Sequence, residues 1–165
     1  MFKWRDFYLM KIYDSKNKYI GVVEDISIDF YKGVVRGFTI SPTSIFKQMY
    51  VSVDSIISID EDMKIKGTSN FEGLKFKEIR YVDIINKEKK LIGVLEDLII
   101  DKQNFEIKGI IMSSGIFDKM LKGKEVITLK HCTLCDEYIL YNGNSRVKLK
   151  TLPHNLGGNN DVQKV

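Results

Sequence analysis

The 165 residues are 44% hydrophobic and 29% charged, the balance of an ordinary soluble globular protein with room for one domain or two small ones. Lys and Arg outnumber Asp and Glu by 26 to 22, a net +4 spread along the chain rather than gathered into the dense basic patch that nucleic-acid binding usually requires. No apolar run nears the roughly 20 residues of a bilayer span.

In chain order, the first signal is aromatic and basic. Phe2, Trp4, Phe7 and Tyr8 interleave with Lys3, Arg5 and Lys11. Such a segment can stack on bases, or it can pack over a barrel end or across two copies of a domain; packing is the simpler reading. No apolar stretch follows these charges, so the segment does not read as a secretory signal, and the cytoplasm is the expected compartment. Leu9 to Tyr13 reads as a strand, and Asp14-Ser15-Lys16-Asn17 as a polar hairpin loop.

The strongest strand signal follows, Ile20-Gly21-Val22-Val23-Glu24-Asp25-Ile26-Ser27-Ile28-Asp29. Its alternation puts Ile20, Val22, Ile26 and Ile28 on one face and Gly21, Asp25, Ser27 and Asp29 on the other. Glu24 interrupts the pattern, either as a bulge where a small barrel turns a corner or as a glutamate at the barrel mouth. Gly21 inside a strand costs stability, and a close backbone crossing or kink explains it better than a ligand site. Tyr31-Lys32-Gly33 then turns the chain into a strand from Val34 to Ile40. Pro42-Thr43-Ser44 leads to one short helical turn over Ile45, Phe46 and Met49, and strands follow at Tyr50 to Val53 and Ile56 to Ile59.

All of this recurs. At a shift of 72 residues, Ile20 to Asp29 matches Ile92-Gly93-Val94-Leu95-Glu96-Asp97-Leu98-Ile99-Ile100-Asp101, and the match runs from Tyr8–Ser41 to Arg80–Ser113 without a gap. Copy two then supplies strands at Tyr81 to Ile85, Glu106 to Met112, Val126 to Leu129 and Cys132 to Cys135, with Phe117 and Leu121 in the counterpart of the helical turn. The break lies near Gly67-Thr68-Ser69-Asn70. The expected organisation is therefore two all-β barrels with short helical turns, over residues 1–70 and 71–143, followed by a polar, mobile tail over 144–165.

This pattern resembles the PRC-barrel family, named for the photosynthetic reaction-centre H subunit. The shared elements are a polar hairpin, the strand Ile20-Gly21-Val22-Val23-Glu24-Asp25-Ile26-Ser27-Ile28-Asp29, and the glycine-containing strand Val34 to Ile40; copy two repeats them from Ile92 to Met112. The resemblance implies a small barrel used mainly for protein interaction, in which Gly21, Asp25, Gly93 and Asp97 are structural. It brings no shared catalytic residues. One relative is the barrel of ribosome-maturation factors, which contacts a ribosomal protein. Neither the membrane helix of the H subunit nor the RNA-associated domain of those factors is found in this sequence, so neither specific role carries over.

The residues offer little catalytic chemistry. His131-Cys132-Thr133-Leu134-Cys135 has metal-ligand spacing, but a closed zinc site needs four ligands. Cys132 and Cys135 also align with Ile56 and Ile59, so they read as small core hydrophobes, and no metal or cofactor is expected. The pairs Glu24/Asp25, Glu96/Asp97 and Asp136/Glu137 are adjacent in strands and point to opposite faces, so turn and edge solvation explains them better than acid–base work. The expectation is a non-enzymatic, cytoplasmic bacterial scaffold that binds a protein partner or a second copy of itself, with Phe46, Met49, Phe117 and Leu121 as candidate contact residues. The alternative is an RNA- or ribosome-associated factor similar to the maturation barrels.

Overall fold

The computed structural model describes residues 1–42, 48–113, 124–144 and 146–149. Strand β1 (Phe2–Lys3) and the helical turn α1 (Trp4–Phe7) open the chain. Then come β2 (Lys11–Asp14), β3 (Tyr19–Asp29), β4 (Val34–Pro42), β5 (Met49–Ser52), β6 (Ile56–Ile59) and β7 (Met63–Ile65). The second half begins with β8 (Leu74–Lys75) and α2 (Phe76–Ile79). It continues through β9 (Asp83–Asn86), β10 (Leu91–Ile100), β11 (Ile107–Ser113), β12 (Lys124–Ile127), β13 (Cys132–Leu134), β14 (Tyr138–Tyr141) and β15 (Val147–Leu149).

Two curled sheets result, with the same internal order. The first runs β5-β4-β3-β2-β7-β6 and the second β13-β14-β9-β10-β11-β12-β15. Read from the equivalent end, β12-β11-β10-β9-β14-β13 repeats the first order strand for strand. Both sheets contain one parallel pairing, β2 with β7 and β9 with β14, where the chain returns beside its first hairpin. The protein is all-β, with two barrel-like units.

Local chemistry sets the turns. Asp14 Oδ1 accepts the Lys16 and Lys18 amides at 2.8 and 2.9 Å, and Asn17 takes the left-handed conformation at φ 62°. Asn86 and Lys89 (φ 59°) build the equivalent hairpin of the second unit. Leu9 (φ 65°) and Tyr81 (φ 71°) are also left-handed, so β2 and β9 begin two residues beyond them, later than the apolar pattern suggests.

The long strands carry bulges where Glu24 and Glu96 interrupt the apolar pattern. The β3/β4 register shifts between Val23 and Asp25, and the β10/β11 register between Leu95 and Asp97. An extra residue reverses the parity of a strand. Before the bulge the buried positions are Gly21 and Val23, with Ile20 and Val22 half-buried; after it Ile26 and Ile28 are buried. One uninterrupted apolar face through Ile20, Val22, Ile26 and Ile28 therefore does not exist, because the bulge exchanges the two sides. Asp25 and Ser27 are buried as well, at 2% and 0% exposure, which requires cover on the outer face of β3.

Gly21 sits where two backbones cross. A Cβ there would lie 2.2 Å from Ser41 O, and one on Gly93 would lie 2.8 Å from Ser113 O. Because the obstructing atoms are backbone, relief requires moving a strand. Gly21→Ala is expected to destabilise the protein by about 3 kcal/mol, the upper range of overpacking, and Gly93→Ala by less. Paired urea unfolding of the two variants measures this; equal, negligible losses would contradict the close crossing.

Candidate interaction site

The cover over β3 comes from the other half of the chain. Strand β8 pairs with β3, Leu74 opposite Ile28 and Lys75 opposite Ser27. Strand β1 pairs with β10 in the same way, Phe2 opposite Ile100 and Lys3 opposite Ile99. Every residue in the second set of pairings is offset by 72 from its equivalent in the first, so Phe2-Lys3-Trp4-Arg5-Asp6-Phe7 and Leu74-Lys75-Phe76-Lys77-Glu78-Ile79 are equivalent arms. Each repeat places its arm on the other repeat's barrel. A second reciprocal pair joins the hairpins: Val35 N–H donates to Phe105 O at 2.9 Å, and Ile107 N–H donates to Gly33 O at 2.7 Å. The two units are thus related by a local twofold and share one continuous apolar core.

Buried carboxylates hold the arms. Asp97, fully buried, accepts the Trp4 amide at 2.9 Å and the Leu98 amide at 2.8 Å, and it pairs with Arg5 Nε at 2.7 Å. Asp25 accepts the Lys77 amide at 3.0 Å, the Ile26 amide at 2.9 Å and the Trp4 indole N–H at 3.1 Å. Trp4 therefore bridges both carboxylates, with its ring 5.6 Å from Phe76 and the Arg80 guanidinium 4.3 Å above it. Burial raises the Asp25 carboxyl above its ordinary value, partly opposed by these hydrogen bonds. Neither aspartate is solvated at an edge, as adjacency in a strand suggests. The bulge leaves each one on the outer face of its strand, where the other repeat's arm covers it.

These arms were not legible as part of the repeat. They share chemical class rather than identity, and a two-residue strand with a four-residue turn has no measurable period. Comparing apolar, basic and acidic classes at the offset of 72 would have found them. The aromatic N-terminus itself packs across the two copies, with Trp4 and Phe7 in the core.

Between the units lies an open groove. Tyr31, at the tip of the β3–β4 hairpin and 75% exposed, donates its hydroxyl proton to Leu134 O at 2.9 Å. Three hollows of about 400, 340 and 300 Å³ adjoin this ring. Leu74, Ile79, Val82 and Leu134 supply apolar walls; Glu78 and Asp136 line the first hollow, and Glu72, paired with Arg36 at 2.6 Å, lines the second. Cys132 and Lys130 border the third hollow. Among the described residues β13 ends its sheet, and on its outer edge the Leu134 carbonyl accepts the Tyr31 hydroxyl and the Cys132 amide donates to Leu129 O.

Of the candidate contact residues, Met49 is half-buried in β5 opposite Ile40, while Phe46, Phe117 and Leu121 lie outside the described residues, as does the helical turn before Met49. Cys132 is half-buried with Sγ 3.6 Å from Thr128 O, and Cys135 Sγ is 4.0 Å from Thr133 O. Among the described residues no group of three or more His, Cys, Asp or Glu side chains is placed to hold a metal ion. Burial pushes the Cys132 thiol up to about 12. A thiol held that high is almost wholly protonated near pH 8, so Cys132 should be alkylated on the order of 10²-fold more slowly than a free cysteine, the small thiolate fraction being partly offset by its greater nucleophilicity. Timed alkylation with mass mapping checks this; rapid labelling of Cys132 would contradict it.

The first unit combines a polar hairpin, a bulged strand crossing its neighbour at a glycine, and a returning parallel strand. Residues 1–69 match the family model of the PRC-barrel domain. The first repeat is a PRC-barrel domain. Comparison with curated proteins returned no match. The match ends before Leu74 to Ile79, the arm that begins by pairing with β3 of the first unit. Among the described residues no helix is long and apolar enough to cross a membrane.

Proposed function

We propose that both units are PRC barrels and that the pair serves as a non-enzymatic protein-interaction module of the cytoplasm. The carrying observation is the groove at Tyr31, an exposed aromatic ring over apolar walls beside β13, which ends its sheet among the described residues. An extended partner segment can add to that edge by backbone hydrogen bonds and place alternate side chains in the hollows. The sequence divisions 1–70 and 71–143 mark the repeats; the working body is the pair, because each barrel is completed by the other's arm.

A tagged pull-down from the native host, with and without nuclease and with Tyr31→Ala alongside, tests this reading. A protein retained after nuclease and lost with Tyr31→Ala supports it. Capture abolished by nuclease would replace it with the RNA- or ribosome-associated reading. Capture indifferent to Tyr31→Ala would move the partner off the groove.

A further inference from the structure

The residues that build the groove at Tyr31 have counterparts in the other repeat, and the two sets differ in chemistry. At the offset of 72 residues, Gln103 stands in the place of Tyr31 and Asp6 in the place of Glu78. In the alignment that sets Cys132 against Ile56, Ser58 stands in the place of Leu134 and Asp60 in that of Asp136. Carboxylates are therefore kept in both sets, while the aromatic ring and the leucine that meets it occur in one. The acidic residues also differ in what they do. Asp6 Oδ2 accepts the Lys3 amide at 2.7 Å, whereas Glu78 and Asp136 have no hydrogen-bond or ion-pair partner among the described residues. We propose that the hollow lined by Tyr31, Glu78 and Asp136 receives a cationic side chain, arginine above lysine, from an extended partner segment in which basic and apolar residues alternate.

Three properties of the hollow select that occupant. Its ring is held in place: the Tyr31 hydroxyl donates to Leu134 O at 2.9 Å, and Phe30 meets the ring edge-on at 5.8 Å, yet the residue is 75% exposed. A fixed, uncovered aromatic ring attracts a cation through its quadrupole and has little freedom left to lose on binding. The charge of the hollow is of one sign. Glu78 on α2 and Asp136 beyond β13 are the charged residues that line it, on a chain whose net charge is +4. A cation complements both, and an acidic segment is repelled. The size, about 400 Å³, suits one long side chain, whose methylene stem lies against Leu74, Ile79, Val82 and Leu134. Arginine is favoured because a planar guanidinium stacks on a ring while its N–H fork reaches a carboxylate. The more acidic hollow of the first unit, bordered by Asp60, Glu61 and Asp62, differs on both counts: Lys64 lines it as a countercharge, and its ring, Tyr13, is half-buried against Tyr19. This occupant presupposes the Tyr31 groove as the partner's seat and adds which side chains the partner brings to it.

The test titrates the isotope-labelled full-length chain with three end-capped pentapeptides: Leu-Arg-Leu-Arg-Leu, the same peptide with citrulline for arginine, and the same with glutamate. Citrulline keeps the shape of arginine without its charge. The arginine peptide should shift the backbone amide signals of Tyr31, Leu134 and Asp136 to saturation, and the citrulline peptide should bind there about tenfold more weakly. Glu78→Gln and Asp136→Asn change exposed side chains and should each weaken the arginine peptide about two- to fivefold, whereas Asp60→Asn at the equivalent position should leave it unchanged. The double variant Glu78→Lys, Asp136→Lys should reverse the preference and bind the glutamate peptide in place of the arginine one. Equal affinity of the arginine and citrulline peptides at these amides would overturn the cationic occupant and leave the groove standing as a seat for extended segments. Shifts centred on Asp60, Glu61 and Asp62 would overturn it too, by moving the cation site to the first unit's acidic turn. No saturable shift at Tyr31 and Leu134 with either peptide would remove the occupant and the groove together.

Discussion

Phe7→Ala is expected to destabilise both barrels together, by about 3–5 kcal/mol, although the residue lies in the first repeat. Phe7 is fully buried, 4.7 Å from Phe2 and 5.0 Å from Phe38 between ring centroids. Phe2 sits on the second unit's β10 and Phe38 on the first unit's β4, so the cavity opens in the core that joins the units. In a domain of this size the loss corresponds to a fall in melting temperature of roughly 6–20 °C. Calorimetry should show one transition displaced as a whole. Two separated transitions with only one displaced would mean that the barrels fold independently and that the arms contribute little. Ile79→Ala, at the equivalent position of the other arm, should act in the same direction.

Asp97→Ala should cost about 3–5 kcal/mol, and Asp25→Asn only about 0.5–1.5. Removing the Asp97 carboxylate leaves the buried Trp4 and Leu98 amides without their acceptor and deprives Arg5 of its partner at 2.7 Å. Asparagine at position 25 retains one oxygen for the Trp4 indole and the Ile26 amide and loses the acceptor for Lys77. Asp25 also carries a pH dependence. Burial holds the folded Asp25 carboxyl above the 3.8 of a free one, so between those values the folded state binds more protons than the unfolded state. Linkage then makes this group's contribution fall as pH rises through that window, with its penalty fully present above the folded value. Asp25→Asn should remove that component. The stability gap between variant and parent should therefore be smaller at pH 7 than at pH 4.5, as read from urea midpoints at the two values. A gap that widens with pH would show that hydrogen bonding outweighs burial at Asp25.

The repeat and its turns were legible because their signals are local and appear twice: the Asp14 and Asn86 hairpins, the glycines in the long strands, and Glu24 and Glu96 interrupting the same face. Strand identity was legible wherever apolar alternation ran for four residues or more. The parity reversal at the bulge was not, because nothing in Val23-Glu24-Asp25 states which side the extra residue takes. Met63–Ile65 and Tyr138–Tyr141 escaped notice as strands because each gains its place by parallel pairing with a distant hairpin rather than by a pattern of its own. The buried aspartates were misread for a related reason. A carboxylate on the outer face of a strand is solvated in one barrel and buried in a pair, and the element that buries it lies 52 residues away in the case of Asp25 and Lys77. The groove at Tyr31 exists only between units, so no segment of sequence carries it.

Each repeat completes the other's barrel. Cross-strand nuclear Overhauser contacts in the full-length chain test it most directly. Contacts are expected from Phe2 and Lys3 to Ile100 and Ile99, and from Leu74 and Lys75 to Ile28 and Ser27. Contacts from Phe2 and Lys3 to Ile28 and Ser27 within the first repeat would contradict it.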